Sequence, residues 1–176
     1  MKLPRRLRLA MPLTRRRALG LFLAVVVAHM LEHVAQMAQI HVMGLPPSQA
    51  LGLVGGLWPW LVTSESLHYA LALFTLAGLV LLRPGTAGAA RAWWDAAIVI
   101  QLWHHFEHVL LVMQRVSGHA LFGASAPTSV LQLFLRRAEL HMTYNALVFV
   151  PLAIGAWLQL RKPRAPVTAA PGAAPR

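Results

Sequence analysis

Residues 92–116 read AWWDAAIVIQLWHHFEHVLLVMQRV. At ~20 largely apolar residues, the run is long enough for a helix to cross a hydrocarbon core of about 30 Å. Its middle breaks the pattern, because His104, His105, Glu107 and His108 stand where lipid would surround them. A charged side chain at that depth costs at least ~2.5–3.5 kcal/mol unless it is paired or coordinated, so such residues gather inside a bundle and mark function. The stretch therefore needs partners.

Working outward, further runs of this kind lie at 18–42, 57–82 and 133–160. Turn-rich segments separate them: GLPPSQALGLVGG, RPGTAGAAR and SGHALFGASAPTS. The 176 residues are 57% hydrophobic and 12% charged, against ~25% charged in a soluble domain. Mean hydropathy is +0.57. The expected fold class is all-α integral membrane: a four-helix transmembrane bundle over 18–162, a basic segment over 1–17, and a disordered Ala/Pro tail over 163–176.

The net charge of +11 is unevenly spread. Of the 16 Lys and Arg residues, 7 precede the first span, Arg83 and Arg91 lie in the second loop, and 4 follow the last span. Only Arg115, Arg136 and Arg137 fall on the other side. This is the positive-inside pattern, which predicts a multi-pass protein of the inner (plasma) membrane with both termini cytoplasmic. The basic N-terminus then contacts anionic lipid, and nucleic acid is not an expected partner. TRRRALGLFLAVVVAHM resembles a twin-arginine signal, but it continues into LEHVAQ without a small-residue cleavage site, so an uncleaved first span is expected. With no cysteine, disulfides, thiolate metal sites and iron–sulfur clusters are excluded. Trp58 and Trp60 fit the outer belt, and Trp93, Trp94 and Trp157 the inner one. Pro151 is expected to kink the last span.

The H-x-x-E-H string occurs twice. At an offset of 75, HMLEHVAQMAQ lies over HHFEHVLLVMQ, matching His29, Glu32, His33 and Gln39 to His104, Glu107, His108 and Gln114. An offset of 76 sets Glu65/His68 on His141/Tyr144, a weaker match. The expectation is two tandem parallel two-helix repeats, related by an axis along the membrane normal.

Four of the five acidic residues (Glu32, Glu65, Glu107, Glu139) lie within spans and near histidines. Counting helix rise, His33 and His108 lie roughly 12 Å inside the outer ends of their spans. Glu65, His68 and His141 lie at a similar level. His29, Glu32 and His33 are spaced i, i+3, i+4 and share one helix face, as do His104, Glu107 and His108. Glu65 and His68 have the E-x-x-H spacing of carboxylate-bridged di-iron bundles.

The expected metal ligands are therefore His29, Glu32, His33, Glu65, His68, His104, Glu107, His108 and His141. Tyr144, Asn145 and Gln101 are expected to orient them. Glu139 is expected to lie aside, paired with Arg136 or Arg115, and Asp95 to pair with Arg91 or meet the helix N-terminal dipole. His41 and His119 suit the loops better, and His105 is turned ~100° from His104.

Imidazole with carboxylate favours iron, then manganese, copper or zinc. The leading expectation is a dinuclear membrane oxidoreductase acting on a lipid-like substrate, alone, as a homo-oligomer or beside a partner subunit. Histidine-rich membrane oxygenases and desaturases are a loose analogy, since their histidine boxes differ in spacing and depth. Metal or proton transport is an alternative, opposed by the lack of a second polar layer. A b-type haem bundle leaves the glutamates unexplained. A zinc hydrolase with a glutamate base and a purely structural polar layer complete the alternatives.

Overall fold

A computed structural model describes residues 5–161. The expected disordered tail 163–176 and residues 1–4 lie outside the described residues. The α-helices are α1 (Arg5–His41), α2 (Trp60–Thr63), α3 (Glu65–Leu82), α4 (Ala89–Ser117) and α5 (Arg137–Leu160). There is no strand among the described residues. Four segments are long and apolar enough to cross a membrane: Thr14–His41, Glu65–Leu82, Ala89–Ser117 and Arg137–Leu160.

Two spans begin later than the sequence expectation. The second span begins at Glu65 rather than 57, because Pro59 leads into the single turn of α2 and the backbone then breaks at Ser64 (φ −82°, ψ 110°). The Ser64 side chain caps α3 by accepting the Leu67 N–H at 3.3 Å, as helix starts prefer. The apolar residues before it belong to the connection. The fourth span begins at Arg137, and Leu131–Leu133 form a separate 3₁₀ turn. The basic N-terminal segment is helical from Arg5 as part of α1.

Around the bundle the order is α1, α3, α4, α5, with α1 and α4 on the diagonal. The two long connections, 42–59 and 118–136, lie at one end, and the short 83–88 link lies at the other. In the half next to the short link, Leu19, Phe22, Val26, Leu79, Trp94, Ala97, Val148, Leu152 and Ala156 form an apolar core. Phe22 packs where Gly78 has no side chain, joining α1 to α3.

Trp94 corrects the belt expectation. It is fully buried and donates its Nε1–H to the Leu79 carbonyl at 2.7 Å. Trp93 and Trp157 are exposed, as are Trp58 and Trp60. Asp95 takes a two-pronged bond from Arg83 (2.6 and 2.9 Å), and its expected partner Arg91 stands off at 4.0 Å. The guanidinium fork fits a carboxylate in a way a single contact does not.

Candidate metal centre

Above the apolar core, all four long helices turn histidines inward. α1 supplies His29 and His33, α3 His68, α4 His104 and His108, and α5 His141. All but His29 are buried. The rings form a contiguous cluster. His141 lies at its centre, with centroids 4.9 Å from His108, 5.4 Å from His68, 5.5 Å from His33 and 5.7 Å from His104. The i, i+4 spacing brings each pair on one helix together, with Nε2 to Nε2 distances of 3.2 Å for His29/His33 and 3.0 Å for His104/His108.

His104, His108 and His141 each offer a nitrogen, and these lie within 4.8 Å of one another. This buried three-histidine group can hold a metal ion. With metal–nitrogen bonds of ~2.1 Å, neighbouring imidazole nitrogens stand about 3–3.5 Å apart, and the Nε2 atoms of His104 and His108, hydrogen-bonded to each other at 3.0 Å, already stand at that spacing. Three ring nitrogens in the group (His104 Nδ1, His108 Nδ1, His141 Nε2) are buried without a hydrogen-bond partner. Buried polar atoms are nearly always satisfied, so such a group asks for an explanation.

The first-half histidines differ. His33 Nδ1 donates to Gln36 Oε1 at 2.8 Å, and Gln36 in turn donates to the Ala50 carbonyl at 3.3 Å. His68 Nδ1 donates to the Ser64 carbonyl at 2.9 Å. In a neutral imidazole a proton fixed on Nδ1 leaves Nε2 as an acceptor.

The glutamates of the two motifs face the connections. Glu32 Oε2 accepts the N–H groups of Leu53 (3.0 Å) and Val54 (3.1 Å), and Oε1 accepts that of Gly55 (2.8 Å). Glu107 Oε2 accepts the Ser129 hydroxyl at 2.7 Å, and Oε1 the Leu131 N–H at 2.9 Å. Two helical turns on, Gln39 exchanges two bonds with Gly52 (2.7 and 3.0 Å). Gln114 accepts from Leu121 and Thr128 N–H and donates to the Thr128 carbonyl. The second connection's anchor points, Thr128 and Ser129, carry no sequence signal of their own. The glutamines do, as the shared E-x₆-Q spacing inside apolar helices.

The remaining expected residues are distributed as follows. Glu65 forms a 2.5 Å ion pair with Arg137, and its other oxygen is buried without a partner. Glu139 pairs with Arg136 at 2.6 Å and with His41 at 3.5 Å. Tyr144 stacks on His104 (4.6 Å, 10°) and accepts the Trp103 indole N–H at 2.6 Å. Gln101 donates to the Ala72 carbonyl, and Asn145 to that of His141. His105 lies against Tyr69, outside the cluster, and His119 is exposed beside Ser117.

Two larger cavities reach His33 and His68 from different sides. One, of about 200 Å³, lies under the first connection and includes Gln36, Ser48, Thr63 and Arg137 in its walls. The other, of about 290 Å³, lies between α1 and α3 and is mostly apolar. The spaces lined by both His104 and His108 are only about 10 Å³ each, whereas His141 also borders the 200 Å³ cavity.

Fold and site together define an all-helical chain with four membrane-length helices around a buried histidine cluster. No family model, curated protein or solved structure matches it.

Proposed function

We propose that the chain is an integral membrane metalloprotein that holds one first-row transition ion on His104, His108 and His141, serving chemistry on a membrane-dissolved substrate. The observation that carries this reading is the convergence of three buried imidazoles from α4 and α5, each offering a ring nitrogen within 4.8 Å of the others. Imidazole suits copper, zinc, iron and nickel, whereas manganese prefers oxygen ligands. Glu32 and Glu107 are occupied by backbone and hydroxyl donors, so we assign them to holding the connections rather than to the ion.

The same bonds support an ancestral duplication. Glu32 with Gln39, and Glu107 with Gln114, clamp the connection that follows their own helix in each half. On this reading His68 corresponds to His141, an offset of 73 rather than 76, since each is its helix's one cluster histidine. The charge pattern favours the connections facing outward and both termini facing the cytoplasm.

Competing readings fit less well. A relay across the membrane must pass the core of Leu79, Trp94 and Leu152, all fully buried and apolar. A porphyrin would need far more room than the ~10 Å³ spaces lined by His104 and His108.

The test is metal analysis with absorption spectroscopy on protein purified in mild detergent. One equivalent of copper, zinc or iron, lost in His141→Leu and retained in Glu32→Gln, is the expected result. A Soret band, two equivalents, or no metal at all would overturn the reading.

A further inference from the structure

The cavity between α1 and α3 combines an apolar wall with a polar end. Val25, Leu61, Leu67 and Leu71 line it, while His29, His33 and His68 form its inner end. Val25 and Val54 are 40% and 45% exposed, so the cavity is edged by side chains that face out of the bundle. Val25 and Ala28 belong to a membrane-length helix, and the solvent there is lipid. Phe22 packed into Gly78 closes the gap on the side of the short link. At about 290 Å³ the space sits at the lower end of small-molecule sites, which run ~300–1,000 Å³.

The polar end has a definite chemistry. Glu32 is occupied by three N–H groups, and both polar atoms of Gln36 are engaged. His68 Nε2 is left as an acceptor because Nδ1 donates to Ser64. His29 gives its Nε2 proton to His33 by the same reasoning, so the histidines that line this end offer acceptors, and acceptors beside an apolar wall suit a ligand with an O–H donor on a hydrocarbon body. The His68 ring is also 5.4 Å from that of His141 and 6.2 Å from that of His108, so a head group there lies one imidazole from the ion-holding group.

We propose that this cavity binds a membrane-dissolved aliphatic alcohol, entering sideways from the bilayer, with its hydroxyl donating to His68 Nε2. As the substrate of the metal centre, the alcohol rests on the function proposed above. Its binding does not.

The experiment uses full-length protein in phosphatidylcholine nanodiscs with a dodecanol that carries a photoactivatable diazirine, and the matching diazirine dodecane without the hydroxyl. Metal content is measured on the same preparation, so a failed metal assignment reads out separately from a failed cavity. Alcohol adducts are expected on Val25, Leu67 and Leu71 and should disappear in Ala28→Trp and in Leu67→Trp, two fillings from different helices. His68→Leu should weaken alcohol labelling about three- to tenfold, the worth of one hydrogen bond, and leave alkane labelling unchanged. Adducts scattered over lipid-facing side chains such as Val99 and Leu102, or equal loss of both probes in His68→Leu, overturn the proposal.

Discussion

Replacing Glu107 by glutamine separates a residue that holds a connection from one that holds an ion. Glu107 is buried and accepts two short bonds, from the Ser129 hydroxyl at 2.7 Å and the Leu131 N–H at 2.9 Å. Glutamine keeps one carbonyl oxygen and turns an amide N–H₂ toward the other donor. Losing one bond to a charged acceptor in a buried place costs ~1.5–3 kcal/mol. At about 2–4 °C per kcal/mol for a chain of this size, Tm should fall by roughly 3–12 °C. Bound metal per protein should not change, because no imidazole is touched. His108→Leu should do the reverse. It gives up one neutral bond, to His104 Nε2 at 3.0 Å, but removes a ring whose Nδ1 has no partner and fills the space with apolar atoms, so Tm should move by less than that of Glu107→Gln. Metal affinity should fall by more than the ~10–100-fold typical of losing a supporting group. Thermal melts of detergent-solubilised protein with metal analysis decide it. If Glu107→Gln sheds the ion and keeps its Tm, the carboxylate is a ligand and the reasoning is wrong.

Gly52→Ala should destabilise by about 1–3 kcal/mol, since φ is +78° and an added Cβ would strike the Glu32 carboxylate. Faster proteolysis within 42–59, with metal retained, is the expected readout. Gln114→Ala removes the ties to Leu121 and Thr128, and hydrogen exchange at those two amides should quicken while the α4 interior stays protected. Arg137→Ala strands the Glu65 carboxylate and should cost about 1–3 kcal/mol, less than the ~3–5 of a fully buried pair because Arg137 is partly exposed. Restoring stability with a second change, Glu65→Gln, would check that the cost lies in the orphaned charge.

The four spans and the histidine layer were legible because both are properties of one helix at a time. Apolar length sets the span, and i, i+4 spacing sets the shared face of His104 and His108. What spacing cannot give is what comes back to meet that face. Glu32 and Glu107 share a face with the histidines, and from the helix alone a carboxylate there reads as a ligand. The donors that claim them are backbone N–H groups at Leu53, Val54, Gly55 and Leu131, whose identity carries no signal, and one distant hydroxyl, that of Ser129. Trp94 was misplaced for a similar reason. Position along the helix put it at an interface, but its partner is the Leu79 carbonyl, a group every residue has. The start of α3 was masked by apolar residues 57–63, although Pro59 and Ser64 both marked the break.

The glutamate and glutamine ties also bear on how the protein is assembled. Each spans only 7 to 24 residues and ends in the connection that leaves its own helix. Each helical hairpin can thus acquire its turn as it leaves the insertion machinery, without waiting for the other. The histidine cluster cannot form that way, because His141 meets His33 and His68 only across the two hairpins. The three histidines proposed to hold the ion, His104, His108 and His141, all belong to the α4–α5 hairpin, so on that proposal the second hairpin can take up its ion alone, and only the wider cluster waits for the two halves to dock.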